Sequence, residues 1–323
     1  MTASGGGHTG FAIAVARELP SDVEIVFTVA RGDAFSRRKI DSLGRNSVII
    51  EHARGRGPLE SLLPAMPRLF KSFLEASVRL PKVDAALCTG HNNSVPPCIV
   101  ARLKGARLVS LEDVYRVESR SRAISLLSKI SEAVALHWEF QRRLYPGKGI
   151  VVGPVFEPPK YKPSRGDYIL VTTGTYGYEE LFNVMYRLWA EGRLKSRLIL
   201  QTGMVPPEKY RGSGVEAFSF DPDIDRFIAG ARVVVTHQGM TAINAALGYG
   251  KPTIIVYNPR WKLAAPASEV RVVAEHLGLG FLERPDPDAL ARLIEESRPP
   301  NFRGDTKGAS RLARMLVDLA TRS

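Results

Sequence analysis

The chain has 323 residues, 44% of them hydrophobic and 24% charged, with a net charge of +12. That composition is globular, too apolar for a disordered chain, and long enough for two α/β domains. The charge favours anionic partners, but no arginine-rich tail or aromatic-interleaved basic patch points to nucleic acid. No apolar run approaches the roughly 18 residues of a spanning helix, and no signal peptide is visible, which predicts a soluble or peripheral protein. Cys88 and Cys98 have neither metal-site nor redox spacing and fit buried thiols in a reducing cytosol.

Residues 4–10 (SGGGHTG) read as a glycine-rich loop before a helix over 11–19. Glycines such as Gly6 and Gly7 let backbone approach a ligand, and the helix start favours negative charge. His8 projects from this loop beside Thr9, either as a general base or as a loop histidine with a structural hydrogen bond. Such a loop normally follows a buried strand. The domain is therefore expected to lack that strand, or to have its true start, and any anchor, upstream. A strand is predicted over 23–30, followed by a basic, glycine-punctuated stretch over 31–56. Residues 59–78 place Leu59, Leu62, Leu63, Met66, Leu69, Phe70, Phe73 and Leu74 at helical spacing, with Pro64 and Pro67 breaking or kinking the start. Arg54, Arg56, Arg68, Lys71 and Arg79 flank that face. Most of it reads as an amphipathic helix on a sheet, and its basic, proline-interrupted start as a membrane-surface segment.

A buried strand over 84–89, a polar loop over 90–97 carrying Asn92 and Asn93, a helix over 98–104 and a strand over 107–111 form a βαβ unit. Glu112 and Asp113 end that strand, where a carboxylate can hold or deprotonate a hydroxyl or cap a helix. A basic stretch starting at Arg116 follows, then a strand over 133–137. Residues 157–165 (EPPKYKPSR) read as a linker. The domains are thus 1–156 and 167–323, joined by 157–166.

The second domain opens with a strand over 168–172 and a loop beginning Thr173, Gly174, Thr175. A helix over 179–191 and strands over 197–201 and 215–219 follow. Asp221, Asp223 and Asp225, and likewise Asp286 and Asp288, precede helices and read as caps rather than metal ligands. No cluster has metal-ligand spacing. Residues 225–257 organise this half: a β-branched strand over 231–236, a turn at His237-Gln238-Gly239, a small-residue helix over 241–247, and a strand over 253–257. Ligands of open parallel sheets bind outside the carboxyl ends of strands. Residues 237–242 sit there, at a helix start suited to a diphosphate, unless the glycine marks only a plain turn. The chain ends in an amphipathic helix over 309–321.

These segments carry a resemblance. TTGTYGYEEL, LILQTG, DIDRFIAGARVVVTHQG and GYGKPTIIV resemble the catalytic subunit of the two-subunit UDP-GlcNAc transferase of dolichol-linked N-glycan assembly. SGGGHTG, LCTGHNNSVPPCIVARL, LVSLEDVYRV and SEAVALHW with LYPGKGIVVG resemble its membrane-side partner subunit. The lipid II-forming GlcNAc transferase of peptidoglycan synthesis is a more distant likeness. The resemblance implies two Rossmann-like domains facing a cleft, the GT-B architecture. It implies an inverting, metal-independent and cofactor-free transferase moving GlcNAc or a related sugar from a UDP-sugar to a polyprenyl-diphosphate-linked acceptor. Such an enzyme of lipid-linked oligosaccharide assembly would sit on an anionic membrane surface, at the inner face of the cell membrane.

The resemblance casts His8 or Glu112 as the base. It casts Thr173, Gly174, Thr175, His237, Gly239, Met240, Thr241, Ala242, Asn244 and Glu269 as donor-binding, and Gly6, Gly7, Thr9, Asn92, Asn93 and Arg116 as acceptor-binding. Three departures stand out. Met240 intrudes into a glycine–alanine loop. Ala245, beside Asn244, replaces a glutamate expected near the donor ribose. Pro266-Ala267-Ser268-Glu269 keeps only Glu269 of a His-Gln-x-Glu segment. They leave the sugar open and keep two alternatives: a nucleotide-sugar 2-epimerase, and a non-catalytic membrane-associated binding module.

Overall fold

The computed structural model describes residues 1–53, 62–261 and 265–321. It divides into unit 1, Met1–Glu157 with Gly304–Ser323, and unit 2, Pro158–Arg303. In unit 1, β1 (Val26–Ala30) pairs in parallel with β2 (Asn46–Ile50). The strands β3 (Ala85–Cys88), β4 (Arg107–Leu111), β5 (Ala133–Leu136) and β6 (Gly149–Val151) form a second parallel set in that order. Residues 1–3 join the two sets. Thr28 N donates to Met1 O at 2.9 Å, Ala3 N to Thr28 O at 2.9 Å, and Thr2 N to Leu87 O at 3.0 Å. The strand expected to be missing ahead of the glycine loop is therefore there, too short to read by pattern. From it the chain runs to β1 and β2 on one side and to β3 onward on the other. The order reverses between residues 1–3 and β3, and ligand sites gather at such a switch point.

The helix α1 (Gly7–Glu18) follows the glycine loop with Thr9 through Ala16 all buried, as its small side chains permit. Two elements in the basic 31–56 stretch escape pattern reading: α2 (Ala34–Asp41), capped by Asp33 accepting from Ser36 N at 3.0 Å, and the half-exposed β2. The helix α3 (Leu62–Arg79) continues through Pro67. Arg54, Arg56 and Leu59, expected at the basic start of this segment, lie outside the described residues. Next come α4 (Val95–Leu103), which begins ahead of expectation because prolines fit a first turn with no N–H to lose, and α5 (Arg122–Leu127).

Unit 2 is one six-stranded parallel sheet in the order β12-β11-β10-β7-β8-β9. Its strands are β7 (Tyr168–Thr172), β8 (Arg197–Gln201), β9 (Val215–Phe218), β10 (Val233–Thr236), β11 (Thr253–Val256) and β12 (Gly280–Leu282). Its helices are α6 (Glu179–Ala190), α7 (Ile224–Gly230), α8 (Met240–Ile243), α9 (Ala267–Leu277) and α10 (Pro287–Glu296). The α8 helix runs on as a π turn, Asn244–Gly248. Ile169, Val171, Val233, Val235, Ile254 and Val256 bury one sheet face against Phe182 and Met185. The switch point of this sheet lies between β7 and β10.

Two expectations need correction. The last helix, α11 (Gly308–Thr321), belongs to unit 1, not to the domain 167–323. Arg311 Nη1 donates to Val152 O at 3.2 Å, and a Cβ on Gly308 would meet Gly153 O and Pro154 O at 2.4 Å. An amphipathic pattern tells that a face must be covered, not which unit covers it. Asp286 caps α10 through Ala289 N at 2.8 Å, but Asp223 makes no cap bond at α7. Its carboxylate instead meets Lys160 Nζ at 3.2 Å and the Tyr161 hydroxyl.

Candidate active site

At the switch point of unit 2, Thr173 follows β7, Thr236 ends β10, His237 comes next, Asn244 begins the π turn and Asn258 lies just beyond β11. Thr173 Oγ1, Thr236 Oγ1, His237 Nδ1, Asn244 Oδ1 and Asn258 Nδ2 are inaccessible and have no partner among the described residues. Leaving one such group unpaired costs about 1–3 kcal/mol. Five of them around three neighbouring strands form a set of donors and acceptors that the described residues leave unsatisfied.

The loops that carry this set are held firmly. Gln238 and Asn258 bond reciprocally, Gln238 Nε2 to Asn258 O and Asn258 N to Gln238 Oε1, both at 2.8 Å. Tyr178 Oη donates to Tyr257 O at 3.3 Å. Gly177 has φ +78°, and a Cβ there would come within 2.4 Å of Thr202 O, so only glycine lets these backbones meet. Tyr176 meets Trp261 edge to face, ring centroids 5.2 Å apart. Burial pushes the His237 imidazole down to about 4. It is therefore neutral near pH 7, a hydrogen-bond partner rather than a counter-charge. Gly239 heads the helical run from Met240 without a side-chain cap. Behind it Thr241 is half-buried and Ala242 fully buried, while Gly174 and Thr175 lie open in the β7 loop. Ala245 is buried in the core with Leu170 and Val234. Glu269 is buried in the first turn of α9.

The switch point of unit 1 brings the glycine loop to the end of β3. His8 Nδ1 lies 2.5 Å from Thr89 O. A carbonyl only accepts, so the proton is on Nδ1 and the lone pair is on Nε2. Thr89 is itself clasped: Thr89 N donates to Thr2 Oγ1 and Thr89 Oγ1 to Thr2 O, each at 3.0 Å. His91 stands edge-on to His8, centroids 5.4 Å apart. Burial first, then the neighbouring His8 and His52, push His91 down to about 3. Its Nδ1 accepts from Asn93 N at 3.2 Å.

Other predicted residues of this half serve the fold. Glu112, expected as a second base, is 0% exposed. Its carboxylate accepts from Asp113 N at 2.7 Å, Ser121 N at 3.2 Å and the Tyr145 hydroxyl, clasping the loop between. Burial pushes it up to about 7 against those bonds. Thr9 is fully buried with its hydroxyl on Ser36 Oγ at 2.6 Å. Asn93 is buried too, accepting from Ala53 N at 2.9 Å and meeting His52 Nε2 at 3.2 Å. Arg116 Nη1 bonds Ser119 Oγ at 2.8 Å. Gly6, Gly7 and Asn92 remain half-accessible. Sequence reasoning missed Thr89, His91, Thr236 and Asn258. The one available signal was their position, at or just past the last residue of a buried strand.

Residues 168–277, from β7 through α9, match the glycosyltransferase family 28 C-terminal domain. Over 272 residues the chain is 27% identical to the UDP-N-acetylglucosamine–N-acetylmuramyl-(pentapeptide) pyrophosphoryl-undecaprenol N-acetylglucosamine transferase of Solibacter usitatus, covering 79% of this chain and 74% of that one. It is 27% identical over 176 residues to the UDP-N-acetylglucosamine transferase subunit ALG14 of Rattus norvegicus, covering 48% of this chain and 81% of the subunit. Acinetobacter baumannii MurG superposes with a TM-score of 0.66 at 17% identity, over 100% of this chain and 98% of that one. A UDP-N-acetylglucosamine 2-epimerase from Rickettsia bellii does so at 0.66 and 13%, over 99% and 95%. Fold and domain match together define the class: the chain is a glycosyltransferase of the two-Rossmann, GT-B architecture. Within that class, its second unit carries the family 28 C-terminal domain. The likeness expected to be the more distant, to the peptidoglycan enzyme, covers more of the chain than the N-glycan subunit does.

Proposed function

We propose that the chain transfers GlcNAc or a closely related sugar from a UDP-sugar to a polyprenyl-diphosphate-linked acceptor at a membrane surface. One observation carries the reading. The unpartnered groups Thr173, Thr236, His237, Asn244 and Asn258 gather at the switch point inside the segment that matches family 28. In this reading the donor diphosphate lies against the uncapped start at Met240, Thr241 and Ala242, and takes hydrogen bonds from neutral groups. The acceptor hydroxyl attacks the anomeric carbon, His8 Nε2 takes its proton, and the sugar–phosphate bond breaks to release UDP. The Nδ1–H bond to Thr89 O steadies the resulting imidazolium. No metal or cofactor enters this scheme. Glu112 ranks below His8 as the base, because its oxygens are buried and occupied.

The membrane part rests on α3. Met66, Phe70, Leu74 and Val78 recur every four residues and are 53%, 62%, 48% and 86% exposed, while Ala65, Ser72, Ala76 and Leu80 on the other face are buried. Lys71, Arg79 and Lys82 are exposed nearby. An exposed apolar row among basic residues suits an anionic bilayer interface, here the inner face of the cell membrane. Among the described residues no helix is long and apolar enough to cross a membrane.

The test is incubation with radiolabelled UDP-GlcNAc and lipid acceptors of two kinds, one from peptidoglycan and one from N-glycan assembly. Label moving into a lipid fraction supports the reading, and the acceptor that takes it settles the pathway. A 2-epimerase would convert the free nucleotide sugar with no lipid present. A binding module would hold UDP-GlcNAc and transfer nothing.

A further inference from the structure

We propose that Tyr176 and Trp261 form the aromatic wall against which unit 2 holds the sugar ring of its donor. This assignment rests on the donor reading above and names a subsite within it. Tyr176 belongs to the loop after β7 and Trp261 to the loop after β11, and β10 runs between those two strands. Their ring centroids are 5.2 Å apart with planes at 62°. The two loops therefore meet across the end of β10, where Thr236 and His237 keep unpartnered polar atoms. Tyr176 is 47% exposed and Trp261 half-exposed, so neither ring is spent on the core. Their pairing fixes both rings without covering them.

A pyranose has an apolar C–H face and a rim of hydroxyls. Aromatic rings match the face. The rim needs groups that can donate and groups that can accept, because each hydroxyl does both. Asn258 Nδ2, a donor, and Asn244 Oδ1, an acceptor, lie buried at this switch point without a partner among the described residues, and a sugar hydroxyl that reached them would satisfy both. Asn258 is well placed to stay in position. Its backbone is held by Gln238, and its Oδ1 accepts from Arg260 N at 3.1 Å, one residue before Trp261. The same short segment thus carries an aromatic ring and an anchored amide.

Calorimetric titration of the full chain with UDP and with UDP-GlcNAc tests this, on the wild type and on Tyr176→Ala, Trp261→Ala and Trp261→Phe. The alanine variants should bind UDP-GlcNAc about tenfold more weakly, about 1.4 kcal/mol, and UDP within about twofold of wild type. Trp261→Phe, which keeps a ring, should retain most of the affinity. Both side chains lie partly in solvent, so unchanged melting temperatures should confirm folding. Equal losses for UDP and UDP-GlcNAc would put the nucleobase on these rings and overturn the assignment. Unchanged affinities would overturn it too, while UDP binding by the wild type would leave the donor reading standing. A wild-type chain that binds neither ligand would overturn both.

Discussion

At the switch point of unit 1, Glu112 accepts three hydrogen bonds, Thr9 meets Ser36, and Asn93 is bonded to Ala53 and His52. At the switch point of unit 2, Thr173, Thr236, His237, Asn244 and Asn258 each keep a buried polar atom without a partner among the described residues. In unit 1, Ser72 Oγ in α3 and Ser121 Oγ, whose backbone N–H bonds Glu112, also lack partners among the described residues. One fold is thus used in two ways. Unit 1 pairs the side chains of Glu112, Thr9 and Asn93 internally and holds the His8 imidazole in one tautomer. Unit 2 leaves a set unsatisfied, at a cost in stability that a polar ligand would repay.

The largest effect should come from the one group unit 1 is built to hold. His8→Ala should lower kcat by about 10²–10⁴-fold and leave UDP affinity unchanged. Steady-state rates with the lipid acceptor, beside a UDP titration, check this; wild-type turnover would remove the base from this loop. Next is Glu112→Ala. It strands the Asp113 and Ser121 N–H groups and the Tyr145 hydroxyl, and should cost about 3 kcal/mol in denaturant midpoint measurements, with UDP affinity kept. Unaltered stability with a large fall in kcat would restore Glu112 as a base. A smaller loss is expected when Phe70 and Val78 are both changed to Ser. Each buries about 1.5–3 kcal/mol of apolar side chain if α3 enters the interface, so binding to anionic vesicles should drop at least about tenfold. Binding that persists would place the membrane contact elsewhere.

The subtlest effect is on pH dependence. Glu112 is raised from 4.5 to about 7, so the stability it contributes is present below pH 4.5 and lost as pH rises through about 7. His237 is lowered from 6.5 to about 4, so its contribution is present above pH 6.5 and lost as pH falls through about 4. The two slopes oppose each other between pH 4.5 and 6.5. Glu112→Gln should remove the first and make the acid-side fall in melting temperature steeper. An unchanged profile would mean that Glu112 titrates normally in the folded chain.

Much of this was legible in the sequence. The strands over 107–111, 168–172 and 197–201 were read to the residue, since β-branched and leucine runs between turn signals leave little choice. Thr173 and His237 stand at the unit 2 switch point, as a turn after a readable buried strand leads one to expect. What was missed has a common cause. Residues 1–3, β2 and β6 are short or half-exposed and show no period, and only their neighbours' hydrogen bonds make them strands. Glu112 reads like Asn258 in sequence, a polar residue at the end of a strand. Partners distant in the chain decide which is satisfied: Tyr145 is 33 residues from Glu112, whereas no side chain among the described residues reaches Asn258 Nδ2.

The claim that unit 2 reserves its polar groups for a ligand is tested most directly at Thr236, which has no role in the core beyond its shape. Thr236→Val keeps that shape and removes an unpaired hydroxyl. Thermal unfolding and UDP titration of this one variant should move in opposite directions. Stability should hold or rise by up to about 1 kcal/mol, while UDP affinity falls about fivefold or more. A variant that loses stability and binds UDP as tightly as the wild type would contradict the account.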